Sequence, residues 1–134
     1  MQSRGRVLII AGSDSGGGAG IQADIKTVTA LGGYAATAVT AITVQNTLGV
    51  SAVHPVPLAI VEAQARAVLD DIGADAIKTG MLGDVAMVGA VARIIAEAGV
   101  PAVVDPVMIA KGGAPLLAPE AVAVAVDAEG SADS

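Results

Sequence analysis

Four short groups of polar and glycine residues each follow an apolar segment, and together they have the composition of a ligand site. The groups are Gly12-Ser13-Asp14, Gln45-Asn46-Thr47, residues 78–82 (KTGML) and residues 105–108 (DPVM). In open α/β sheets, ligands bind outside the carboxyl ends of the strands, so such corners converge on one rim. The alternative is that Gly, Asn, Asp and Pro only turn the chain. Gln45 and Met81 are not needed for a turn, which favours a site.

A glycine-rich loop marks the first of these corners. An apolar run over residues 7–11 leads into the corner, residues 16–20 read GGGAG, and a helical pattern starts at Ile21. This order is typical of a strand, a loop and a helix. Because glycine has no Cβ, its backbone N–H groups can come close to a ligand. The loop therefore predicts a small-molecule site.

Two well-known phosphate-binding loops fit this segment poorly. Residues 18–23 match G-x-G-x-x-A, but a dinucleotide fold also needs an acidic residue about 20 positions later. No Asp or Glu occurs between Gly33 and Val61. The Walker pattern fails because Ile77 precedes Lys78-Thr79, where that pattern requires glycine.

Other catalytic constellations have little support. His54 is the sole histidine and precedes Pro55, which is typical of a loop residue rather than a general base. No clustered His, Asp and Glu pattern or Ser–His–Asp arrangement is visible. Asp24 lies in the first turns of a predicted helix, where the helix dipole alone favours a carboxylate. Asp105 precedes Pro106, so its role could be limited to ending a strand.

Composition bounds the class of protein. The 134 residues suffice for one domain, 54% are hydrophobic, and Tyr34 is the only aromatic residue. A net charge of −6 without basic clusters argues against nucleic-acid partners and anionic membranes. Residues 27–61 carry no Asp, Glu, Lys or Arg, but glycines, threonines and a Gln-Asn pair interrupt them, so we expect no membrane span. The absence of cysteine excludes disulfides and suits the cytoplasm.

The hydrophobic pattern alternates between strand and helix. We predict strands over residues 7–11, 35–44, 76–79 and 102–107, with a short strand or flap at 50–53. Helices are predicted from Ile21 to about Leu31, from Pro57 to Ile72, and from an Asp84 cap to a Gly99 stop. This order predicts an α/β fold with a mainly parallel sheet and right-handed crossovers.

Four sequence blocks carry a family resemblance. AGSDSGGGAGIQADIKT, TAITVQNTLGV, IKTGMLGD and VVDPVMIAKGG occur in this order. The chain resembles, from about Val7 to Pro119, the hydroxymethylpyrimidine and phosphomethylpyrimidine kinases of thiamine biosynthesis. That resemblance implies a ribokinase-like, three-layer αβα fold. Pyridoxal kinases share the fold and some corners, but the GGGAGIQAD block is more similar to the pyrimidine kinases.

The resemblance also implies a pocket for an aminopyrimidine substrate. Its implied members are Gly12, Ala19, Asp24, Gln45, Met81 and Val107. Asp24 and Gln45 would hydrogen-bond the polar edge of the ring, and Met81 and Val107 would pack on its faces. A flat heteroaromatic ring with an exocyclic amine suits such an acceptor, amide and apolar wall.

The implied cofactors are ATP and Mg²⁺, and Asp105 resembles the acid near the Mg-phosphate region. Family members are considerably longer, and their second half holds an N-x-x-E motif, much of the ATP site and a late G-T-G-[DC] turn. None of these motifs occurs in the 134 residues. Phosphoryl transfer depends mostly on positioning and charge stabilisation. We therefore expect this chain alone to be inactive, with no catalytic residue of its own.

Residues 1–126 are accordingly interpreted as the N-terminal part of a truncated ribokinase-like domain, and residues 127–134 as a disordered tail. Three alternatives stay open: a pyrimidine-binding remnant without activity, one half of a split kinase, and a pyridoxal kinase-like protein. A sheet left half covered would favour a homo-oligomer or pairing with a C-terminal half.

Overall fold

A computed structural model describes residues 5–105, which form five strands and three helices. In chain order these are β1 (Arg6–Asp14), α1 (Gly20–Ala30), β2 (Tyr34–Asn46), β3 (Gly49–Pro55), α2 (Leu58–Asp71), β4 (Ala76–Thr79), α3 (Val85–Ala98) and β5 (Ala102–Val104). The predicted alternation of strand and helix is confirmed. The strand predicted over 102–107 ends at Val104, so its extension to Asp105 is wrong. Residues 106–107 of that prediction, and the tail at 127–134, lie outside the described residues.

The strands form one sheet in the order β3-β2-β1-β4-β5. All neighbouring strands are parallel except β3, which pairs antiparallel with β2 at one edge. Strand β1 is central, and residues Leu8 to Ala11 are fully buried because layers cover both of its faces. This mostly parallel arrangement confirms the predicted fold class.

Helices pack on both faces of the sheet and make it a three-layer structure. On one face, Leu8, Ile10 and Ile77 form a core with apolar residues of α2 and α3. On the other face, α1 packs against β1 and β2, and none of its residues is fully buried. No helix within residues 5–105 has the length and hydropathy of a membrane span.

Local signals set the ends of α3. The Asp84 carboxylate accepts the backbone N–H of Met87 at 2.8 Å and so caps the first turn. At the other end, Gly99 adopts a left-handed conformation with φ of 66° and donates its N–H to the Ile95 carbonyl. Both ends agree with the sequence prediction.

The first strand is longer than predicted. The corner Gly12-Ser13-Asp14 belongs to β1, because Ser13 and Asp14 still pair with Ile42 and Thr43 of β2. The register shifts between Ala11 and Ser13, which places an extra residue in β2. The polar corner is thus held in the sheet instead of forming a free loop.

Candidate ligand-binding site

A cavity of about 680 Å³ opens at the carboxyl end of the sheet. It lies beyond the ends of β1, β4 and β5, next to the first turns of α1 and the β2–β3 hairpin. The four corners recognised in the sequence contribute to its lining, each from its own strand end. Parallel strands bring their carboxyl ends to the same edge of the sheet, and this places distant segments around one space.

Asp14 organises the glycine loop from within. Its carboxylate accepts the backbone N–H groups of Gly16 at 2.8 Å, Gly18 at 3.0 Å and Ala19 at 2.8 Å. Its carbonyl oxygen accepts the N–H of Gly17 at 2.9 Å. Only 5% of Asp14 is exposed. The expectation that these loop amides face a ligand is therefore wrong, since an internal carboxylate already takes them.

Helix α1 fastens the same loop from the other side. The Gln22 amide accepts the N–H of Asp14 at 2.8 Å and donates to the Ser13 hydroxyl at 2.7 Å. The Lys26 ammonium donates to the Gly17 carbonyl at 2.8 Å. These contacts fix the start of α1, and with it Asp24, relative to the end of β1.

Glycine is required where the backbone passes close to β1. Gly20 has a φ of 58°, and a Cβ there would overlap the carbonyl oxygen of Gly12. Gly12 in turn has Met81 against it, because a Cβ at position 12 would lie 2.6 Å from the Met81 Cε. The Thr40 hydroxyl donates to the Met81 carbonyl at 2.7 Å and holds that segment in place. Met81 therefore forms an apolar wall over Gly12.

The β2–β3 hairpin brings Gln45 to the cavity. The Ser15 hydroxyl donates to the Gln45 carbonyl at 2.9 Å and accepts the Gln45 N–H at 2.8 Å, which ties the hairpin to the glycine loop. The Thr43 hydroxyl lies 2.8 Å from the Ser13 carbonyl and 3.1 Å from Gln45 Oε1. Because one hydroxyl hydrogen serves one acceptor well, either orientation of the Gln45 amide leaves one of its ends for a ligand.

Asp24 and Lys78 form an ion pair inside the cavity wall. The Lys78 Nζ donates to Asp24 Oδ2 at 2.7 Å, and both residues line the cavity. The Lys78 side chain is 26% exposed and the Asp24 side chain is 20% exposed. Asp24 is held by α1 and Lys78 by β4, so the pair joins the helix to the centre of the sheet. The second oxygen of Asp24 accepts no hydrogen bond within residues 5–105.

The structure brings together most of the residues predicted from sequence. Gly12, Ala19, Asp24, Gln45 and Met81 line the same cavity, and their binding roles stay predictions. Asp105 also lies on its rim, with its N–H bonded to the Thr79 carbonyl at 3.1 Å. Val107 falls outside the described residues.

Asp14 and Lys78 belong to the predicted corners, but the sequence analysis gives neither of them a role of its own. The position of Asp14 directly before the glycines could have marked it as their acceptor. No local signal pairs Lys78 with a carboxylate on α1. Within residues 5–105 no three His, Cys, Asp or Glu side chains cluster as metal ligands would. The predicted role of Asp105 near a metal ion stays a prediction.

The comparisons with known proteins agree with the resemblance. Residues 14–128 match the phosphomethylpyrimidine kinase family. The chain is 57% identical over 119 residues to the hydroxymethylpyrimidine/phosphomethylpyrimidine kinase of Bacillus subtilis, covering 88% of this chain and 44% of that protein. It is 56% identical over 118 residues to the enzyme of the same name from Mycobacterium leprae, covering 87% of this chain and 42% of the relative.

Solved structures show the same relation. The fold is similar to that of a phosphomethylpyrimidine kinase from Clostridium difficile, with a TM-score of 0.81 and 45% identity over 90% of this chain and 53% of the other. A pyridoxal kinase from Staphylococcus aureus, crystallised with AMP-PCP and pyridoxal, has a TM-score of 0.73 and 41% identity, covering 80% of this chain and 40% of the other. The chain thus spans less than half the length of the two curated relatives, and what it does span belongs to the phosphomethylpyrimidine kinase family.

Proposed function

We propose that this chain forms the acceptor-binding part of an ATP-dependent hydroxymethylpyrimidine/phosphomethylpyrimidine kinase. The observation that carries the proposal is that Asp24, Gln45 and Met81 line one cavity of about 680 Å³. They come from α1, β2 and the segment after β4, so only the folded chain assembles them. The identity of 56–57% to enzymes of that name supports the choice of substrate class.

The wall chemistry suits a flat ring with one polar edge. One Asp24 oxygen is bonded to Lys78, and the other is available to accept from an exocyclic amine. One end of the Gln45 amide is available to a ring nitrogen or an amine. Met81 supplies an apolar surface, and Gly12 and Ala19 leave room because they add little side chain. A few oriented polar groups with apolar walls are what a specific small-molecule pocket needs.

ATP would serve as the phosphoryl donor in the complete kinase, with Mg²⁺ as its metal ion. The glycine loop does not fit a phosphate group, because Asp14 already occupies the N–H groups of Gly16, Gly18 and Ala19. Asp105 at the rim would at most contribute one ligand to the metal ion. We therefore propose that the 134-residue chain binds the acceptor but does not itself transfer phosphate. We also assign the chain to the cytoplasm, which suits its lack of cysteine.

Binding is tested by calorimetry with 4-amino-5-hydroxymethyl-2-methylpyrimidine. We expect heat with the natural chain and at least a roughly tenfold weaker Kd for Asp24→Asn and for Gln45→Ala, since each removes an acceptor or amide from the polar edge. Asp71→Asn is the matched control, because Asp71 is exposed at the end of α2. No heat with the natural chain would refute acceptor binding.

Catalysis is tested by coupled detection of ADP with the pyrimidine and Mg-ATP. We expect no turnover above the rate without protein. Turnover of about 1–10³ per second, the usual range of enzymes, would contradict the proposal that this chain binds the acceptor without transferring phosphate. Adding a separately expressed C-terminal half of a family member tests the split-kinase alternative, which predicts that activity then appears.

A pyridoxal kinase-like function is the second candidate, because the S. aureus neighbour was crystallised with pyridoxal. Competition between pyridoxal and the pyrimidine separates the two. We expect pyridoxal to displace the pyrimidine only at concentrations well above the Kd of the pyrimidine, and the reverse order would favour the second candidate.

A further inference from the structure

We propose that Lys78 is a positioning residue that orients Asp24 and makes the cavity selective for a ring edge with a donor next to an acceptor. This inference rests on the proposed function, since it concerns how the same cavity recognises its pyrimidine. The expected role of Asp24 says nothing about what holds its carboxylate. The structure assigns that task to Lys78, which lies 54 positions away in the chain.

The ion pair joins two rigid elements. Lys78 lies in β4, in register with Ile9 of the central strand β1 and Val103 of β5. Asp24 lies in the second turn of α1. A strand paired on both sides moves little, so the backbone of Lys78 is fixed and its ammonium reaches the carboxylate at 2.7 Å from a defined position. Sites on such elements are held more accurately than sites on loops.

The distribution of charge around the cavity also supports a role for Lys78 in holding Asp24. Three carboxylates line the cavity, from Asp14, Asp24 and Asp105, whereas Lys78 supplies the one basic side chain among the described lining residues. The loop amides compensate Asp14, and Asp105 is exposed. Asp24 is only 20% exposed and has Lys78 as its partner. Without the ammonium, a largely buried carboxylate would lose its compensation and turn towards water.

The pair presents an acceptor and a donor side by side. One Asp24 oxygen remains to accept a hydrogen bond, and the Lys78 ammonium has hydrogens beyond the one that Asp24 Oδ2 takes. A 4-aminopyrimidine carries the complementary pattern, an exocyclic NH₂ donor beside a ring-nitrogen acceptor. A 4-oxo analogue reverses this pattern, because its carbonyl accepts and its ring N–H donates. A site with buried polar groups rejects a ligand that leaves them unpaired.

The experiment compares two ligands on a small set of variants. Calorimetry measures Kd for 4-amino-5-hydroxymethyl-2-methylpyrimidine and for its 4-oxo analogue on the natural chain, Lys78→Met, Lys78→Arg and Arg93→Met. We expect the natural chain to prefer the amino ligand by at least about tenfold. Lys78→Met should lose most of that preference, and Lys78→Arg should restore much of it. Arg93→Met, on the exposed side of α3, should keep both constants.

A double-mutant cycle separates positioning from general support. If Lys78 orients Asp24, adding Lys78→Gln to Asp24→Asn should change the ratio of the two constants clearly less than Lys78→Gln changes it in the natural chain, and strictly additive effects would overturn the positioning role. The cycle also uses Lys78→Gln as a second variant should Lys78→Met not fold, which circular dichroism would reveal.

Each result decides between the two proposals. If the natural chain binds the amino ligand and Lys78→Met leaves the ratio unchanged, Lys78 has no positioning role while acceptor binding stands. An equal loss for both ligands with an unchanged ratio also overturns the inference, because it indicates mere structural support. If the natural chain binds neither ligand, the proposed function itself fails.

Discussion

The carboxylate of Asp14 accepts the backbone N–H of Ala19 at 2.8 Å across the glycine loop. The same carboxylate also takes the amides of Gly16 and Gly18, so the loop folds around an anion that belongs to the chain itself. Although this loop has the composition of a phosphate-binding loop, it forms a preformed wall of the cavity. Its shape does not depend on a ligand, and it sets the start of α1 where Asp24 lies.

Removing this internal anion should destabilise the chain. We expect Asp14→Ala to lower the free energy of unfolding by about 2 kcal/mol or more, because three backbone donors lose a charged acceptor. Urea unfolding measures the change, and Asp71→Ala, at an exposed aspartate, serves as the control. A loss equal to that of the control would show that the loop is held by other contacts.

The close approach of Gly20 to β1 predicts a loss of stability when a Cβ is added at this position. Gly20→Ala should destabilise more than Gly32→Ala, although both glycines have positive φ, 58° and 85° respectively. A Cβ at position 32 meets no atom within 4 Å, so that variant reports only the left-handed strain of about 1–2 kcal/mol. The difference between the two measures the overlap with Gly12. Equal costs in thermal or urea unfolding would contradict this prediction.

The contact between Arg6 and Asp75 predicts a pH dependence. Hydrogen bonds from the Arg6 side chain and then from its backbone N–H lower the pKa of Asp75 from 3.8 to about 2. As the pH falls, the unfolded chain therefore takes up this proton before the folded chain does. The stabilisation is present above pH about 4 and is lost towards pH 2.

The measurement is the free energy of unfolding of the natural chain and of Asp75→Asn between pH 2 and 7. The gap between them should be constant at the upper end and shrink as the pH falls below about 4. Because the pair is exposed at the surface, added salt should also reduce the gap. A gap that stays constant down to pH 2 would show that Asp75 is not stabilised in its charged form.

A buried hydroxyl without a hydrogen-bond partner predicts a core substitution that does not destabilise the protein. Thr79 is 1% exposed, and its Oγ1 has no hydrogen-bond partner within residues 5–105. Thr79→Val should therefore leave the stability unchanged or raise it by about 1 kcal/mol. Thr43→Val is the matched control, because Thr43 is also buried and donates to the Ser13 carbonyl, and it should destabilise by about 1 kcal/mol. Destabilisation by Thr79→Val would point to a partner for that hydroxyl.

Local patterns were sufficient where one segment contains its own signals. The predicted strand at 76–79 has the observed bounds of β4, and Asp84 and Gly99 end α3 as expected. Caps and apolar periodicity act over a few residues, so they can be recognised without the rest of the chain. The strand predicted over 7–11 is too short, because Ser13 and Asp14 belong to β1 only through their partners on β2.

The sequence by itself determined the α/β order, the family and the set of corners at the strand ends. The tertiary structure alone decided which groups are still available to a ligand. It assigned the loop amides to Asp14 and paired Asp24 with Lys78. The physical reason is that hydrogen bonds and ion pairs between strands and helices depend on the order of strands in the sheet. That order brings residues 54 positions apart to 2.7 Å, and no local pattern contains it.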